Sequence, residues 1–543
     1  MVFARRSTTL LAAIIASCAM VLSLTACTSD NKTVVDGQTT VTSNSAGGVA
    51  VFTPSDGITL NQQTPLNKWA KLVPDLAKAL ADAGFKKGDI DHTTSDSLAK
   101  QSRAIQDFVV DHLSNNTTDD SGIAIAPDNM TLLVAPVVEA DASTRQYGDY
   151  ISQNLSTNDA TDEGATSDGE SSEDDSSKDD SSNTESDSTA SDEQAQAVDR
   201  LVSSLKLAKE SGMHVVLLGN SIEGYKPDAF VKFSDAQTIG KLQAEKMVSK
   251  LKLDKASKDN PKYIEVLLPY TAVDEKGNAN DSTFAQEAFR GIWQVLGSYY
   301  QKGVVESPSG TLDGKSTEND WQAVAYDAAK EGSTAKVLDK RLAKTDGQST
   351  LTRIDGIITM NDYIASEVVK ELDDLGYTGS AADINPQITI SGIVGNITGK
   401  KDLSRDAVPD PIKSPENDNA NDSSSSDDDA DEDTSASDKD RDSQWPLVTG
   451  YGAYVSNIPS IVNGKQWMTG MEDRQTIATD IAQACAKLNK DEALNSIPSI
   501  RNSEVGGVKK IPTISEPLLA VSASNLKSAL IDPGYISLAD AGL

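Results

Sequence analysis

The chain contains 543 residues and carries a formal net charge of -33, with three cysteines and three histidines. This length exceeds one hydrophobic core, so at least two compact lobes are expected. The charge is local: residues 157–195 hold 14 acidic residues against one lysine, and residues 415–443 hold 12 against two basic residues. The modestly acidic remainder excludes an electrostatic nucleic-acid binder. With only three histidines, few imidazole side chains are available to bind a metal ion or to serve in a catalytic triad. We therefore expect neither enzymatic activity nor a bound metal ion or cofactor.

The first 27 residues have the three parts of an export signal. Arg5-Arg6 precede an apolar segment, Thr9–Leu22, that is short for a membrane span, and Leu24-Thr25-Ala26-Cys27 follows. These last four residues resemble the lipobox of bacterial lipoproteins, which implies a lipidated Cys27 at the mature N-terminus. We therefore expect a signal peptide over 1–27, a flexible tether over 28–46, and a chain held on the extracytoplasmic face of the membrane. A plain secretory signal is the alternative.

Strand and helix patterns alternate along the rest of the chain. An apolar run at Gly48–Phe52 predicts the first strand, and an apolar face from Trp69 to Leu80 predicts a helix that Pro74 either kinks or begins. Further strands are predicted at Leu132–Pro136, His214–Asn220, Tyr263–Leu268 and Leu447–Tyr451, and further helices at Leu98–His112, Val198–Ala208, Phe284–Leu296 and Trp321–Ala329. Two successive blocks of this kind predict an α/β protein with two lobes, each a parallel sheet flanked by helices.

The stretch Arg353–Tyr377 is the clearest strand–turn–helix unit. An apolar run ends at Ile358, the cap-forming pair Asn361-Asp362 follows, and a single apolar face then continues until Gly376 offers a left-handed C-terminal cap. A helix is therefore predicted to start at Asp362, with Asp362 favoured as its cap. Ligands of open parallel sheets bind beyond the carboxyl ends of the strands, and the amide of Asn361 suits a hydroxyl-rich ligand there.

The two acidic windows cannot bury enough apolar surface to fold alone. We expect residues 157–195 and 415–443 to be disordered insertions that act as solvating spacers, with binding of calcium or a peptide partner as the alternative. Cys485 would have no disulfide partner once the leader is removed, and its apolar helical position predicts an inert buried thiol.

Several runs in fixed order resemble type I periplasmic sugar-binding proteins, most closely the xylose-binding branch. The resemblance covers about Gly48 to Leu543 apart from the acidic windows. Its residues are Val231-Lys232-Phe233-Ser234-Asp235, Ile239-Gly240-Lys241-Leu242-Gln243-Ala244, Gly356-Ile357-Ile358-Thr359-Met360-Asn361-Asp362, Val448-Thr449-Gly450-Tyr451-Gly452, Asn463-Gly464-Lys465-Gln466-Trp467-Met468-Thr469, Ile511-Pro512-Thr513, Glu516-Pro517 and Leu530-Ile531-Asp532-Pro533-Gly534-Tyr535.

The resemblance implies two Rossmann-like lobes joined by a three-crossing hinge that close on a sugar. Lobe 1 would cover residues 47–232 and lobe 2 residues 233–465, with a return to lobe 1 over 466–491 and a C-terminal segment, 492–543, that crosses back towards lobe 2. The crossings would fall near Val231, near Gln466 and shortly after Leu488. An earlier run, 388–390, would form an added strand.

The resemblance also implies ligand-binding residues. Lys68 and Trp69 correspond to a basic residue and tryptophan after the first strand, Trp321 to a tryptophan of lobe 2, and Asn361 and Asp281 to polar contacts. Arg290 is either a ligand contact or an interlobe ion pair. Trp293 and Trp467 are expected in the core.

At three positions the sequence departs from the family. Gly219-Asn220 stands where the branch has Asp-Arg, Gly450-Tyr451-Gly452 stands in place of Gly-Gln-Asp, and Glu472 corresponds roughly to a lysine. Asn220 and Tyr451 are still expected to be ligand-binding residues at these altered positions. The sequence therefore predicts a lipid-anchored solute-binding protein that delivers a mono- or oligosaccharide to an ABC permease. The alternative is a sensor or interaction lipoprotein that keeps the fold with an altered or lost sugar pocket.

Overall fold

The computed structural model describes residues 34–35, 38–39, 46–56, 65–115, 125–138, 144–156, 185–273, 280–343, 351–381 and 445–543. Cys27, most of the predicted tether, the acidic window 415–443 and the run 388–390 lie outside these residues. The chain divides into two units, residues 1–44 and 45–543. In the first unit Val34–Val35 pairs antiparallel with Gln38–Thr39. The rest of the description concerns the second unit.

Lobe 1 is built on a seven-stranded sheet. Its order is β11-β12-β5-β4-β3-β1-β2, and all neighbours are parallel except the antiparallel hairpin β11-β12. The strands are β1 (Gly48–Pro54), β2 (Ile90–Ser95), β3 (Met130–Val134), β4 (His214–Leu218), β5 (Ala229–Lys232), β11 (Ile500–Val505) and β12 (Val508–Ser515).

Lobe 2 is built on a six-stranded sheet. Its order is β7-β6-β8-β9-β10-β13, and only β13 runs antiparallel to its neighbour. The strands are β6 (Lys262–Val266), β7 (Val305–Glu306), β8 (Gly356–Ile358), β9 (Leu447–Tyr451), β10 (Met468–Met471) and β13 (Leu519–Ser522). Taken in chain order, the first five strands of each lobe are arranged 2-1-3-4-5, the doubly wound order, which confirms the predicted α/β fold of two Rossmann-like lobes.

Helices cover both faces of each sheet. In lobe 1, α1 (Trp69–Asp82) packs against α10 (Arg474–Leu488) on one face, while α2 (Leu98–Asn115) packs against α3 (Glu185–Glu210) on the other. In lobe 2, α4 (Ala236–Leu251) packs against α5 (Thr283–Gln301), and α7 (Ser333–Arg341) against α8 (Asp362–Asp374). Two short helices are α6 (Trp321–Val324) and α9 (Ile458–Val462).

The chain passes between the sheets three times. The first crossing lies between Lys232 and Ala236; the sequence analysis placed it near Val231. The second lies at 472–473 rather than near Gln466, because β10 is still part of the lobe 2 sheet. The third lies at 516–518 rather than shortly after Leu488, because β11 and β12 add a hairpin to lobe 1 before β13 joins lobe 2.

Three local predictions differ from the structure. The helix predicted at Trp321–Ala329 ends at Val324, since Ala325–Tyr326 pairs as a short strand with Leu268–Pro269. Helix α1 contains Pro74 in its interior and does not begin there. Helix α3 begins at Glu185, within the window 157–195 that we expected to be disordered.

Other predictions are confirmed. Cys485 is fully buried in the apolar cluster between α1, α10 and the sheet, where burial raises the pKa of its thiol. Trp293 and Trp467 are buried in lobe 2. In the described part of the chain, no helix has both the length and the apolar composition needed to cross a bilayer.

Candidate ligand-binding site

A cavity of about 320 Å³ lies at the carboxyl end of the lobe 1 sheet. It is bounded by the ends of β1 and β2, the start of α1 and the loop after β3. Its charged and amide side chains are Asp56, Lys68, Asp96, Asp149, Gln153 and Asn220. Ligands of doubly wound sheets bind at this edge, so the cavity is the candidate site in lobe 1.

Lys68 and Asp149 form the central ion pair of this cavity. Lys68 Nζ lies 2.7 Å from Asp149 Oδ1, and the backbone N–H of Trp69 donates to Asp149 Oδ2 over 3.1 Å. Burial, helped by the nearby carboxyl group of Asp56, raises the pKa of Asp149 to about 7, although Lys68 opposes this shift. Burial and Asp56 thus oppose the ionisation of Asp149, whereas Lys68 favours it.

Trp69 lines the cavity but belongs mainly to the core of lobe 1. Only 2 % of its surface is exposed. Its ring packs edge-on against Tyr150 and Phe233, at centroid distances of 5.1 and 5.7 Å. The structure therefore brings the predicted pair Lys68 and Trp69 together at the cavity, with only a small part of the indole facing it.

The side-chain amide of Asn220 is engaged within the protein. Its Oδ1 accepts from the backbone N–H of Gln153 over 2.9 Å, and its Nδ2 donates to the carbonyl of Pro136 over 2.9 Å. Asn220 thus fixes the loops around the cavity, because both ends of its amide already have partners.

The predicted site residues of lobe 2 lie elsewhere. Trp321 packs edge-on against Tyr270 at 5.1 Å in the apolar core, and Asp281 is exposed and accepts hydrogen bonds from Thr283. Arg290 pairs with Glu287 on its own helix, and no ion pair joins it to the other lobe among the residues that the structure describes. None of these side chains lines the cavity.

Asn361 is the N-cap of α8, whereas the sequence favoured Asp362 for the cap and Asn361 for a ligand contact; the assignment of the cap was wrong. Its Oδ1 accepts from the backbone N–H of Ile364 over 2.9 Å, and its Nδ2 donates to Gln146 Oε1 over 3.1 Å. Asp362 is as fully buried as Asn361, and it accepts hydrogen bonds from Gln466, Thr469 and the backbone N–H of Tyr454.

Tyr451 and Glu472 meet where the chain crosses between the lobes. The hydroxyl of Tyr451 lies 2.5 Å from Ser234 Oγ, and Glu472 accepts from the backbone N–H of Ser234 over 2.6 Å. Burial raises the pKa of Glu472 to about 7. These two departures from the family thus form a buried network that joins the first crossing to the second, away from the cavity.

Residues 144–153, which we call the cleft segment, were missed by the sequence analysis. The segment follows β3 and runs between the two lobes, with Tyr147 against lobe 2 and Tyr150 against lobe 1. Both tyrosines are 1 % exposed. Two tyrosines within a short stretch flanked by polar residues were the available indication that this part of the loop packs.

No family model matches the sequence, and no curated protein matches it. In the described part of the chain, no group of histidine, cysteine and acidic residues is arranged to hold a metal ion.

Solved structures of ABC transporter proteins are similar to this chain. A solute-binding protein from Clostridium phytofermentans with bound β-D-glucose is 17 % identical with a TM-score of 0.44, covering 91 % of this chain and 99 % of that one. A carbohydrate transporter solute-binding protein from Chloroflexus aurantiacus in complex with D-glucose is 18 % identical with a TM-score of 0.42, covering 92 % and 98 %. A sugar ABC transporter from Actinomyces odontolyticus is 10 % identical with a TM-score of 0.44, covering 89 % and 97 %.

Proposed function

We propose that this chain is an extracytoplasmic solute-binding protein of an ABC importer, anchored through a lipid on Cys27, that captures a sugar between its two lobes. The proposal rests chiefly on one observation: two doubly wound lobes are joined by three crossings, with a polar cavity at the carboxyl edge of lobe 1. Hinged lobes of this kind bind by closing, and the ligand is retained without any bond being broken.

The cavity chemistry supports a small hydroxyl-rich solute. Carboxyl groups of Asp56, Asp96 and Asp149 can accept from hydroxyls, and Lys68 can donate. A volume of about 320 Å³ is at the lower end of the range of small-molecule sites, about 300–1,000 Å³, and favours a monosaccharide over a longer saccharide.

The lipid anchor rests on the sequence Leu24-Thr25-Ala26-Cys27. Replacing Cys27 with serine should release the protein from the membrane fraction and abolish incorporation of a labelled fatty acid. Retention of label in Cys27→Ser would show that the anchor lies elsewhere.

A thermal-shift screen of the purified protein against pentoses, hexoses and short oligosaccharides tests the binding function. A ligand that binds only the folded state stabilises it by about 2.7 kcal/mol at a hundredfold excess over Kd. Asp56→Asn should abolish the shift produced by the active sugar, because Asp56 lines the cavity from the end of β1. The matched control Asp107→Asn should leave it unchanged, because Asp107 is exposed on α2 and lies outside the cavity.

A second candidate is a sensor or interaction lipoprotein that has lost sugar transport. It is favoured by the amides of Asn220 and Asn361, which are both occupied by partners within the chain. Absence of any sugar-dependent shift, both here and in the opened variants described below, would favour this candidate.

A further inference from the structure

The geometry points to an internal occupant of the interlobe cleft: we propose that the cleft segment, residues 144–153, holds the two lobes closed in the absence of solute and competes with it. The inference rests on the proposed function, because it concerns the cleft in which the solute would bind. It names a regulatory contact that the chain supplies itself.

The cleft segment is anchored in lobe 2 by Gln146 and Tyr147. The ring of Tyr147 lies 4.6 Å from that of Phe284 and 6.2 Å from that of Tyr451. The Oε1 atom of Gln146 accepts from Asn361, and its backbone carbonyl accepts from the hydroxyl of Tyr454 over 2.6 Å. These partners lie at the carboxyl ends of β8 and β9 and at the start of α5, the edge at which a ligand of this lobe would bind.

The same segment is anchored in lobe 1 by Asp149 and Tyr150. The backbone N–H of Asp149 donates to the carbonyl of Asn67 over 2.8 Å, and its carboxyl group pairs with Lys68. The hydroxyl of Tyr150 donates to the carbonyl of Lys68 over 2.5 Å, and its ring stacks on Phe233 at 4.6 Å. Within four residues the chain thus inserts one tyrosine into the core of each lobe.

This arrangement places the segment where a closing ligand would act. A solute closes hinged lobes by contacting both of them, and the cleft segment already does so through side chains and backbone. It also occupies two of the residues that we predicted as sugar contacts, Lys68 and Asn361. A solute that needs these groups must therefore displace part of the segment.

Gly148 provides a precise way to displace it. Its φ is +98°, and a Cβ atom added there would lie 2.5 Å from the carbonyl oxygen of Asn67. Because that atom belongs to the backbone, Gly148→Ala must push the segment away from lobe 1. Gly376→Ala is the matched control: φ is +89° there, but nothing lies within 4 Å of the added atom.

A second pair of variants tests the lobe 2 contact. Tyr147→Ala removes the ring that packs against Phe284, while Tyr377→Ala removes another buried tyrosine of lobe 2, whose hydroxyl donates to the carbonyl of Thr352. Both losses destabilise lobe 2, but only the first should release the cleft. Far-UV circular dichroism would show whether Tyr147→Ala folds. If it does not, Gly148→Ala alone tests the proposal.

The experiment measures the distance between spin labels on the two lobes, at Arg103→Cys and Lys330→Cys, which replace exposed residues. Cys18 and Cys27 are replaced by serine, and Cys485 is buried and does not react. Without sugar, the parent and both control variants should give one short distance. In Gly148→Ala and Tyr147→Ala a second, longer distance between the labels should appear. These two variants should also bind the active sugar at least about tenfold more tightly, because the binding-competent state is more populated.

The outcomes separate the two proposals. An open parent protein, or released variants with the distance of the parent, would overturn the internal occupant whether or not sugar binds. Lobes that open in Gly148→Ala but respond to no sugar would support the internal occupant and contradict sugar capture. Tighter sugar binding in both released variants, with no change in the controls, would support both.

Discussion

Two neighbouring residues that could exchange roles by sequence are both fully buried in the structure and differ in their hydrogen-bond partners. Asn361 and Asp362 both belong to the types that cap helices, and the start of α8 was predicted correctly from this pair. The sequence could not assign the cap, because the choice depends on Gln466, Thr469 and Tyr454, which lie about a hundred residues further along the chain. Hydrogen bonds between residues so far apart in the chain leave no local pattern in the sequence.

Asp362 should be among the most sensitive single residues in lobe 2. Asp362→Ala leaves three buried donors without an acceptor, so we expect a loss of about 3 kcal/mol in the free energy of unfolding. Urea denaturation measures this loss. Asp374→Ala, at an exposed position of the same helix, should change it by no more than about 0.5 kcal/mol, and equal effects of the two variants would contradict the assignment.

The closest helix pair, α4 and α5, depends on two glycines. An added Cβ would lie 2.2 Å from the carbonyl oxygen of Ala288 at Gly240, and 2.0 Å from that of Gln237 at Gly291. The helices can therefore approach backbone to backbone. The run containing Gly240 was noted for its resemblance to a family, but the sequence offered no means of pairing it with Gly291.

Alanine at either glycine should separate the two helices. The gain in helix propensity is about 1 kcal/mol, but overpacking against a backbone carbonyl costs more, so we expect a net loss of about 1–3 kcal/mol for Gly240→Ala and for Gly291→Ala. Thermal unfolding followed by circular dichroism would measure it. Gly314→Ala is the control, because its nearest neighbour would lie at 3.4 Å; stabilisation by all three would refute the close approach.

Elements with a regular apolar period, such as β3, β4, α1 and α8, were predicted. Strands β2 and β13, the hairpin β11-β12 and helix α7 were not predicted, and the end of α6 depends on a strand pair with distant residues. Because β12 pairs within lobe 1, the third crossing lies at 516–518 and not shortly after Leu488 as predicted. No residue between Leu488 and Ile500 indicates this difference.

For the whole molecule, the two lobes could be predicted, whereas the contents of the cleft could not. Repeated strand–helix blocks signal two lobes, but the cleft segment has neither helical nor strand periodicity. Its contacts with Asn361 and Lys68 follow only from the folded chain.

Buried carboxyl groups should make the stability of the whole molecule depend on pH. Burial raises the pKa of Asp362 to about 6 and those of Asp149 and Glu472 to about 7. Between the ordinary carboxyl pKa and these values the folded state holds more protons than the unfolded state. The contribution of these groups therefore falls as pH rises from about 4.5 to 7.

Glu472→Gln should remove one part of this dependence. The carboxyl group of Glu472 faces Ser234 and Tyr451, with Asp235 as the nearby charge that disfavours ionisation. The unfolding free energy of the variant, relative to the parent, should increase between pH 5 and 8 by on the order of 2 kcal/mol. Urea midpoints across this range provide the measurement, and a pH-independent difference would contradict the raised pKa.

The position of the cleft segment in the chain also has a kinetic and thermodynamic consequence. Because the segment is covalently joined to β3, its local concentration at the cleft is fixed by the tether and is of millimolar order for short flexible connections. That value does not fall when the protein is diluted. In the proposed competition, a solute therefore binds only above a concentration that is set by the length of the connection between β3 and the cleft segment. Shortening or lengthening this loop would change that concentration without altering any sugar contact.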